Sequence, residues 1–205
     1  MASRERLLRV LRSAIYDPRV LEAMAAVPRD LFVPSDLRGD AWENAPLPLP
    51  AGQTISQPLV VALMIQAASP QPAEIALEVG TGSGYAAAVL SRLCRKVVTI
   101  EREPALAERA SETLRRLGVD NVEVAVGDGS LGWPAEAPYN VILVAAAASG
   151  VPQPLIDELA DGGRMVVPVA LSPHEPQDLR VYVRRGPDVM YRSLFPVLFV
   201  PLRTG

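Results

Sequence analysis

The residues whose types and spacing suggest chemistry begin with an acid that is followed by three alternate glycines. Such a glycine loop allows a tight turn and lets a ligand lie directly against main-chain N–H groups. The fingerprint for dinucleotides would require glycine where this chain has Tyr85. An acid before the loop suits a ligand that carries an amino group rather than a pyrophosphate. The candidate ligand-binding residues are Glu78, Gly80, Thr81, Gly82, Ser83 and Gly84.

Two further acids follow at the ends of the next two apolar runs. Glu101 closes the second run, where an acidic side chain in a βαβ unit can accept hydrogen bonds from both hydroxyls of a ribose. Asp128 and Gly129 follow the third run, where a carboxylate could accept a hydrogen bond from an exocyclic adenine amine. Taken separately, each acid could be an ordinary helix N-cap or strand-end residue. In this order, the loop and the two acids predict a site for S-adenosylmethionine rather than for a dinucleotide.

The elements that must position these residues alternate between strand and helix patterns. This alternation predicts a doubly wound α/β sheet, in which ligands bind at the carboxyl ends of the strands. The predicted strands cover residues 75–79, 97–100, 122–126, 139–144, 164–169, 179–184 and 198–202. Predicted helices between them cover 85–90, 105–117 and 154–159. The strand over 139–144 is nearly continuous in apolar residues, which favours a central position in the sheet.

The first third of the chain is organised differently. Two short helices are predicted near residues 4–15 and 20–27, and a proline-rich stretch without clear periodicity runs from 28 to 58. A stretch of this length in a compact protein is usually functional. It ends in Gln53, Thr54, Ile55, Ser56 and Gln57, just before an apolar helix over 59–68. Ser56 or Gln57 could simply cap that helix, and such a capping role is compatible with a functional role for the same residue.

Composition narrows the class of protein. The chain has 205 residues, of which 49% are hydrophobic and 21% charged, and its formal net charge is −3. This balance predicts a soluble protein that binds neither nucleic acid nor membranes. A single cysteine, Cys94, and a single histidine, His174, cannot form a disulfide framework or a zinc cluster. The sequence shows no signal peptide and no membrane-spanning run, and we expect a cytoplasmic monomer that uses no metal.

Ten short segments, spread over nearly the whole chain, resemble the protein-L-isoaspartate O-methyltransferase family. Residues 53–58 are the family-specific element, and further matching segments are 27–29, 31–34, 46–48, 78–85, 100–101, 127–129, 137–139, 162–164 and 199–202. The resemblance implies an α/β fold with a Rossmann-like seven-stranded methyltransferase sheet, its last strand antiparallel, and added N-terminal helices. It also implies a single domain over 1–205, with 1–58 as N-terminal helices and substrate-side loop and 59–205 as the cofactor-binding core.

The activity implied by the resemblance is methylation of the α-carboxylate of L-isoaspartyl residues in damaged proteins. S-adenosylmethionine would be converted to S-adenosylhomocysteine. Ser56 would be the active-site residue that orients the carboxylate, with Gln53, Thr54 and Ile55 beside it. A carboxylate is already an anion at neutral pH, so it can attack the sulfonium methyl without a histidine base.

The resemblance also distributes the cofactor among the residues found above. Glu78 and the loop from Gly80 to Gly84 would hold its methionine part, Glu101 its ribose, and Asp128 with Gly129 its adenine end.

Four positions depart from the family pattern, and they leave the acceptor open: Ala86, Asn140, Ala145 and Ala170. One alternative is a carboxyl methyltransferase of the same fold that acts on another peptide or a small acid. Another is a non-catalytic paralogue that binds adenosylmethionine. A nicotinamide oxidoreductase is the most distant alternative, because residue 85 is not glycine.

Overall fold

The computed structural model describes residues 3–172 and 175–205, and His174 therefore lies outside the described residues. The strands are β1 (Leu47–Pro48), β2 (Thr54–Ile55), β3 (Ile75–Val79), β4 (Lys96–Glu101), β5 (Val122–Val126), β6 (Tyr139–Val144), β7 (Leu159–Val169), β8 (Gln177–Arg185) and β9 (Asp188–Val197). The α-helices are α1 (Arg4–Arg12), α2 (Pro18–Ala26), α3 (Pro58–Ala68), α4 (Tyr85–Leu90), α5 (Pro104–Arg116) and α6 (Gln153–Asp157).

The main sheet has seven strands in the order β5-β4-β3-β6-β7-β8-β9. The pairs among β3 to β7 are parallel, whereas β7 with β8 and β8 with β9 are antiparallel. The chain builds the sheet outward from β3 in one direction and then returns to place β6 on the other side of β3. Such a reversal opens a crevice at the carboxyl ends of the two central strands, where α/β sheets bind ligands.

The predicted seven-stranded α/β sheet with an antiparallel last strand is confirmed. Four of the predicted strands, β3, β4, β5 and β6, lie within one residue of their predicted bounds. The central position of β6 follows from its apolar sequence, since side chains on both faces are buried.

The predicted position of the last strand is wrong. The sheet ends with β9, which turns back from β8 at Gly186, a glycine with φ +59°. Much of β9 is exposed, and the polar pair Arg192 and Ser193 interrupts its apolar residues, so its sequence lacks the alternating pattern of a strand. The apolar residues 198–202 instead cross the carboxyl ends of the strands, where Ala147 donates to the carbonyl of Val200 and Leu202 donates to the carbonyl of Ala147, both at 2.8 Å.

The N-terminal region packs on one side of the sheet. Helix α2 contacts α3 and α4, and the buried side chains of α1, Leu7 and Leu11, join the same apolar core. The proline-rich stretch contains short 3-10 helices and the small antiparallel pair of β1 and β2, which the sequence did not reveal. Within residues 3–172 and 175–205, no helix is both long and apolar enough to cross a membrane.

Candidate active site

A cleft of about 870 Å³, including its solvent-open part, lies at the carboxyl ends of β3, β4 and β6. It lies at the crevice that the strand order predicts. The cleft brings together most of the residues singled out from the sequence, namely Gln53, Thr54, Ile55, Ser56, Glu78, Gly80, Thr81, Gly82, Ser83, Glu101 and Gly129.

The sequence predicts that a ligand lies against the main-chain N–H groups of the glycine loop, and the structure corrects this expectation. Its N–H groups are largely used inside the protein: Gly80 and Thr81 donate to the carbonyl of Ile100, and Gly84 donates to the carbonyl of Thr81. The N–H of Gly82 donates to Glu101 Oε2 at 2.7 Å. The loop therefore offers a ligand a close approach to bare backbone rather than a row of free N–H donors.

Glycine is required by close packing beside the cleft. A Cβ at Gly129 would lie 2.6 Å from Val79 Cγ1, closer than any real contact of that kind. Gly84 is not among the described residues that line the cleft; it has φ +84°, precedes α4, and a Cβ there would lie 3.2 Å from the Cβ of Ala110. Gly84 therefore allows α4 to approach α5 and shapes the loop from behind.

Glu101 connects two parts of the site. One carboxylate oxygen accepts from Gly82 and the other accepts from the N–H of Glu103 at 3.0 Å. The side chain lines the cleft and only 7% of the residue surface is exposed. Each carboxylate oxygen can accept more than one hydrogen bond, so both remain available to hydroxyls of a ligand.

Glu78 is a fully buried carboxyl at the base of the cleft. Thr81 donates to Thr99 at 2.7 Å, and Thr99 in turn donates to Glu78 Oε2 at 2.6 Å. Burial raises the pKa of Glu78 to about 8, the Thr99 hydrogen bond opposes this rise, and the Glu101 carboxylate adds to it. A cationic group bound beside Glu78 would favour its ionised form.

Asp128 is held by its own loop and by the end of the chain. Its Oδ1 accepts from the Ser130 N–H and hydroxyl, and its Oδ2 accepts from the N–H of Gly205 at 2.9 Å. These hydrogen bonds, led by that of the Ser130 hydroxyl, lower the pKa of Asp128. Gly127 and Gly129 line the cleft, whereas Asp128 is not among its described lining residues. Its contact with adenine therefore stays a prediction.

Ser56 stands between a small hairpin and a helix. Strand β2 pairs with β1, and the hairpin packs onto the glycine loop, since a Cβ at Gly82 would lie 3.7 Å from Leu49 Cδ1. Ser56 follows β2, lines the cleft and is half-buried. The hairpin therefore places the segment from Gln53 to Ser56 directly against the loop that follows β3.

The alternative that Ser56 or Gln57 caps α3 is not what the structure shows. Gln57 is the N-cap residue by position, but its side chain makes no capping hydrogen bond. Among the described residues, Ser56 Oγ takes part in no hydrogen bond. The N–H of Leu59 donates instead to Asn44 Oδ1 at 3.1 Å.

The four departures from the family pattern lie at different places. Ala86 and Ala145 line the cleft. Asn140 lies at the opposite end of the sheet, where its Oδ1 accepts from the N–H of Ile75 at 3.0 Å. Ala170 donates its N–H to the carbonyl of Ala148 and is not among the described lining residues. Of the four departures, Asn140 therefore takes no part in lining the cleft.

Sequence reasoning missed the wall formed by the end of the chain. Val200, Pro201, Leu202 and Arg203 line the cleft, as does Arg102 beside Glu101. Residues 199–202 match the family pattern, and the sequence predicts a strand over 198–202. These residues lie near the site because the β8–β9 hairpin turns the chain back, and no local sequence pattern predicts that hairpin.

The strand order, the glycine loop after β3 and the acid that ends β4 define a Rossmann-like methyltransferase. A solved Plasmodium falciparum protein in complex with S-adenosyl-L-homocysteine has a TM-score of 0.84 at 26% identity, covers 96% of each chain, and carries the designation protein-L-isoaspartate O-methyltransferase. Another structure of that name has a TM-score of 0.88 at 28% identity and covers 98% of this chain and 66% of that chain.

The family model for protein-L-isoaspartate(D-aspartate) O-methyltransferase matches residues 2–205, and the chain belongs to this family. The protein-L-isoaspartate O-methyltransferase of Synechococcus sp. (strain JA-2-3B'a(2-13)) is 50% identical over 208 residues, 98% of this chain and 85% of that protein. That of Myxococcus xanthus is 50% identical over 193 residues, 93% of this chain and 91% of that protein. The family resemblance drawn from the sequence is confirmed.

Proposed function

We propose that this protein transfers the methyl group of S-adenosylmethionine to the α-carboxylate of L-isoaspartyl residues in damaged proteins. The observation that carries the proposal is that Ser56 and the loop residues Gly80 to Ser83 line one cleft, in a chain of this family. In this proposal, Ser56 contacts the acceptor and the glycine loop contacts the cofactor.

The residues around the cleft fit the cofactor. Glu78 is a buried carboxyl that lines the cleft and is paired only with a hydroxyl among the described residues, so an ammonium group is its natural complement. The Glu101 carboxylate is placed for ribose hydroxyls. Gly129 leaves room at the adenine end, where Asp128 is the proposed acceptor for the amine.

The chemistry needs orientation more than proton transfer. When bound, the cofactor supplies an electrophilic methyl group on a sulfonium. The acceptor carboxylate is already ionised at neutral pH, so no side chain has to remove a proton. The Ser56 hydroxyl donates a hydrogen bond that turns one carboxylate oxygen toward the methyl group, and Ile55 and Val200 keep water from the site.

We also propose a division of labour along the single domain. Residues 1–58 hold the acceptor through the β1–β2 hairpin and Gln53, Thr54 and Ile55, while 59–205 bind the cofactor. We retain the proposals of a cytoplasmic monomer that requires no metal and binds neither nucleic acid nor membranes. Size-exclusion chromatography with light scattering tests the monomer, and activity after treatment with a chelator tests the absence of a metal requirement.

A second candidate is a carboxyl methyltransferase for another peptide or a small acid. It is favoured by Ala86 and Ala145, two small residues that line the cleft where the family pattern differs. Incubation with labelled cofactor and an isoaspartyl peptide tests the first proposal, since a methyl ester releases labelled methanol in base. Cofactor binding without esterification of that peptide, together with esterification of another carboxylate, would support the second candidate instead.

A further inference from the structure

The start of α3 is capped from a distance. The first N–H groups of any helix have no partner within the helix and need acceptors from elsewhere. In most helices a serine, threonine, aspartate or asparagine at the N-cap supplies one. Here the N–H of Leu59 donates to Asn44 Oδ1, a residue 15 positions earlier in the chain. The side chains of Ser56 and Gln57 are therefore not needed to accept the hydrogen bond from the Leu59 N–H.

Asn44 is held where it can do this. Arg29, a fully buried residue, donates from Nε to the carbonyl of Ala41 at 2.9 Å and from Nη2 to the carbonyl of Ala45 at 3.3 Å. These two hydrogen bonds bracket the backbone on either side of Asn44. The Arg29 guanidinium also lies 5.0 Å from the ring centre of Tyr85, the first residue of α4, which ties this segment to the end of the glycine loop.

The backbone around Ser56 is fixed on both sides. Ile55 is 3% exposed and anchors the end of β2, and Pro58 begins α3 two residues after Ser56. Ser56 directly precedes Gln57, the N-cap residue by position, and stands three residues before Leu59. A serine hydroxyl can accept a hydrogen bond from the backbone N–H three residues later, so without Asn44 the Leu59 N–H would compete for the Ser56 hydroxyl. A hydroxyl engaged in that way faces the helix rather than the cleft.

We propose that Asn44 is a positioning residue for methyl transfer: by accepting the hydrogen bond from Leu59, it leaves the Ser56 hydroxyl free to orient the acceptor carboxylate. Asn44 itself touches neither acceptor nor cofactor in this role. The inference rests on the proposed function of Ser56.

A double-mutant cycle separates this role from simple stabilisation. In Asn44→Ala, we expect kcat/KM for an isoaspartyl peptide to fall on the order of 10-fold or more, since a small displacement of a positioning group can cost as much as ~100-fold. The dissociation constant for S-adenosylhomocysteine should stay unchanged. In a Ser56→Ala background, the same Asn44 substitution should have almost no further effect, because the hydroxyl that it releases is gone. Asn44→Asp, which keeps the acceptor oxygen, should restore most of the activity.

The control is another helix cap of comparable kind. Asp17 accepts the Arg19 N–H at the start of α2, away from the cleft. Asp17→Ala should lower the thermal midpoint and leave kcat/KM near that of the wild type. If Asn44→Ala lowers the thermal midpoint alone, or multiplies its loss of activity with that of Ser56→Ala, the positioning role is excluded. If Ser56→Ala is itself fully active, the proposed function of Ser56 fails, and it fails independently of Asn44.

Discussion

Glu101 Oε2 accepts the N–H of Gly82 at 2.7 Å, so the acid at the end of β4 holds the loop that follows the neighbouring strand β3. The same side chain lines the cleft. One carboxylate thus shapes the cofactor loop and faces the cofactor that the loop is proposed to bind.

Replacing Glu101 should therefore weaken cofactor binding. We expect Glu101→Ala to cost roughly 1–3 kcal/mol of binding free energy, the loss typical of charge-assisted hydrogen bonds. Titration calorimetry with S-adenosylhomocysteine measures it. The variant should also have a lower thermal midpoint without ligand, because Gly82 and Glu103 lose their acceptor. Unchanged affinity would remove Glu101 from the ribose site, and tighter binding of NAD than of adenosylmethionine would overturn the cofactor assignment.

Ser56→Ala should reduce turnover without reducing stability. The hydroxyl makes no hydrogen bond among the described residues, so its removal takes nothing from the fold, whereas loss of a true helix cap would cost ~1 kcal/mol. We expect kcat/KM to fall strongly and the thermal midpoint to stay constant. Ser13→Ala is a matched control, since Ser13 Oγ donates to the Val10 carbonyl at the end of α1, away from the cleft. A lowered midpoint with full turnover would identify Ser56 as a structural residue.

Glu78 should make ligand-free stability depend on pH. Its pKa in the folded protein is raised from 4.5 to about 8, so the folded state binds the proton more tightly than the unfolded state. The resulting stabilisation is fully present below about 4.5 and is lost as the pH rises through about 8. The thermal midpoint of the ligand-free protein should therefore fall over this interval, and Glu78→Gln should flatten the slope. An identical slope in that variant would assign the dependence to other groups.

The same carboxyl should couple cofactor binding to proton release. If Glu78 pairs with the cofactor's ammonium group, binding near neutral pH converts the carboxyl to its ionised form. Calorimetry in buffers of different ionisation enthalpy should then report a proton released by the wild type and none by Glu78→Gln. Equal proton release by both proteins would place the ammonium group elsewhere.

Gly129→Ala should destabilise the protein through overpacking. The new methyl group would lie 2.6 Å from Val79 Cγ1, and such strain typically costs ~1–3 kcal/mol. Adding Val79→Ala should relieve part of the loss. Gly39→Ala serves as the control, because a Cβ at Gly39 meets nothing within 4 Å. Denaturant unfolding measures all three variants, and a stable Gly129→Ala protein would show that the backbone yields easily there.

The sequence predicted those parts of the fold that rest on local patterns. Strands β3 and β6 are nearly continuous apolar runs, interrupted by Glu78 and Asn140 respectively, and α4 begins directly after Gly84, so their bounds agree with the structure. Strand β9 was not predicted because its apolar and polar residues do not alternate: the pair Arg192 and Ser193 interrupts two apolar runs. Its existence depends on pairing with β8, which is a tertiary effect rather than a local preference.

In the candidate site, too, the residues at strand ends were predictable from the sequence, whereas contacts between distant segments were not. Glu78, Glu101 and the glycine loop were found because each occupies a strand end, and parallel strands bring their ends together. The hydrogen bond from Leu59 to Asn44 could not be found, because it joins segments 15 residues apart and no spacing rule connects them. The same holds for Val200 and Arg203, which reach the cleft only after two antiparallel turns of the chain.

The most direct test of the central claim compares one peptide that contains an L-isoaspartyl residue with its normal aspartyl twin. The measurement is base-labile methyl transfer from labelled S-adenosylmethionine by the wild type and by Ser56→Ala. We predict rapid esterification of the isoaspartyl peptide by the wild type, very little by the variant, and almost none of the aspartyl twin by either protein. A wild type that binds the cofactor but esterifies both peptides equally, or neither, would contradict the assignment of the isoaspartyl α-carboxylate as the acceptor.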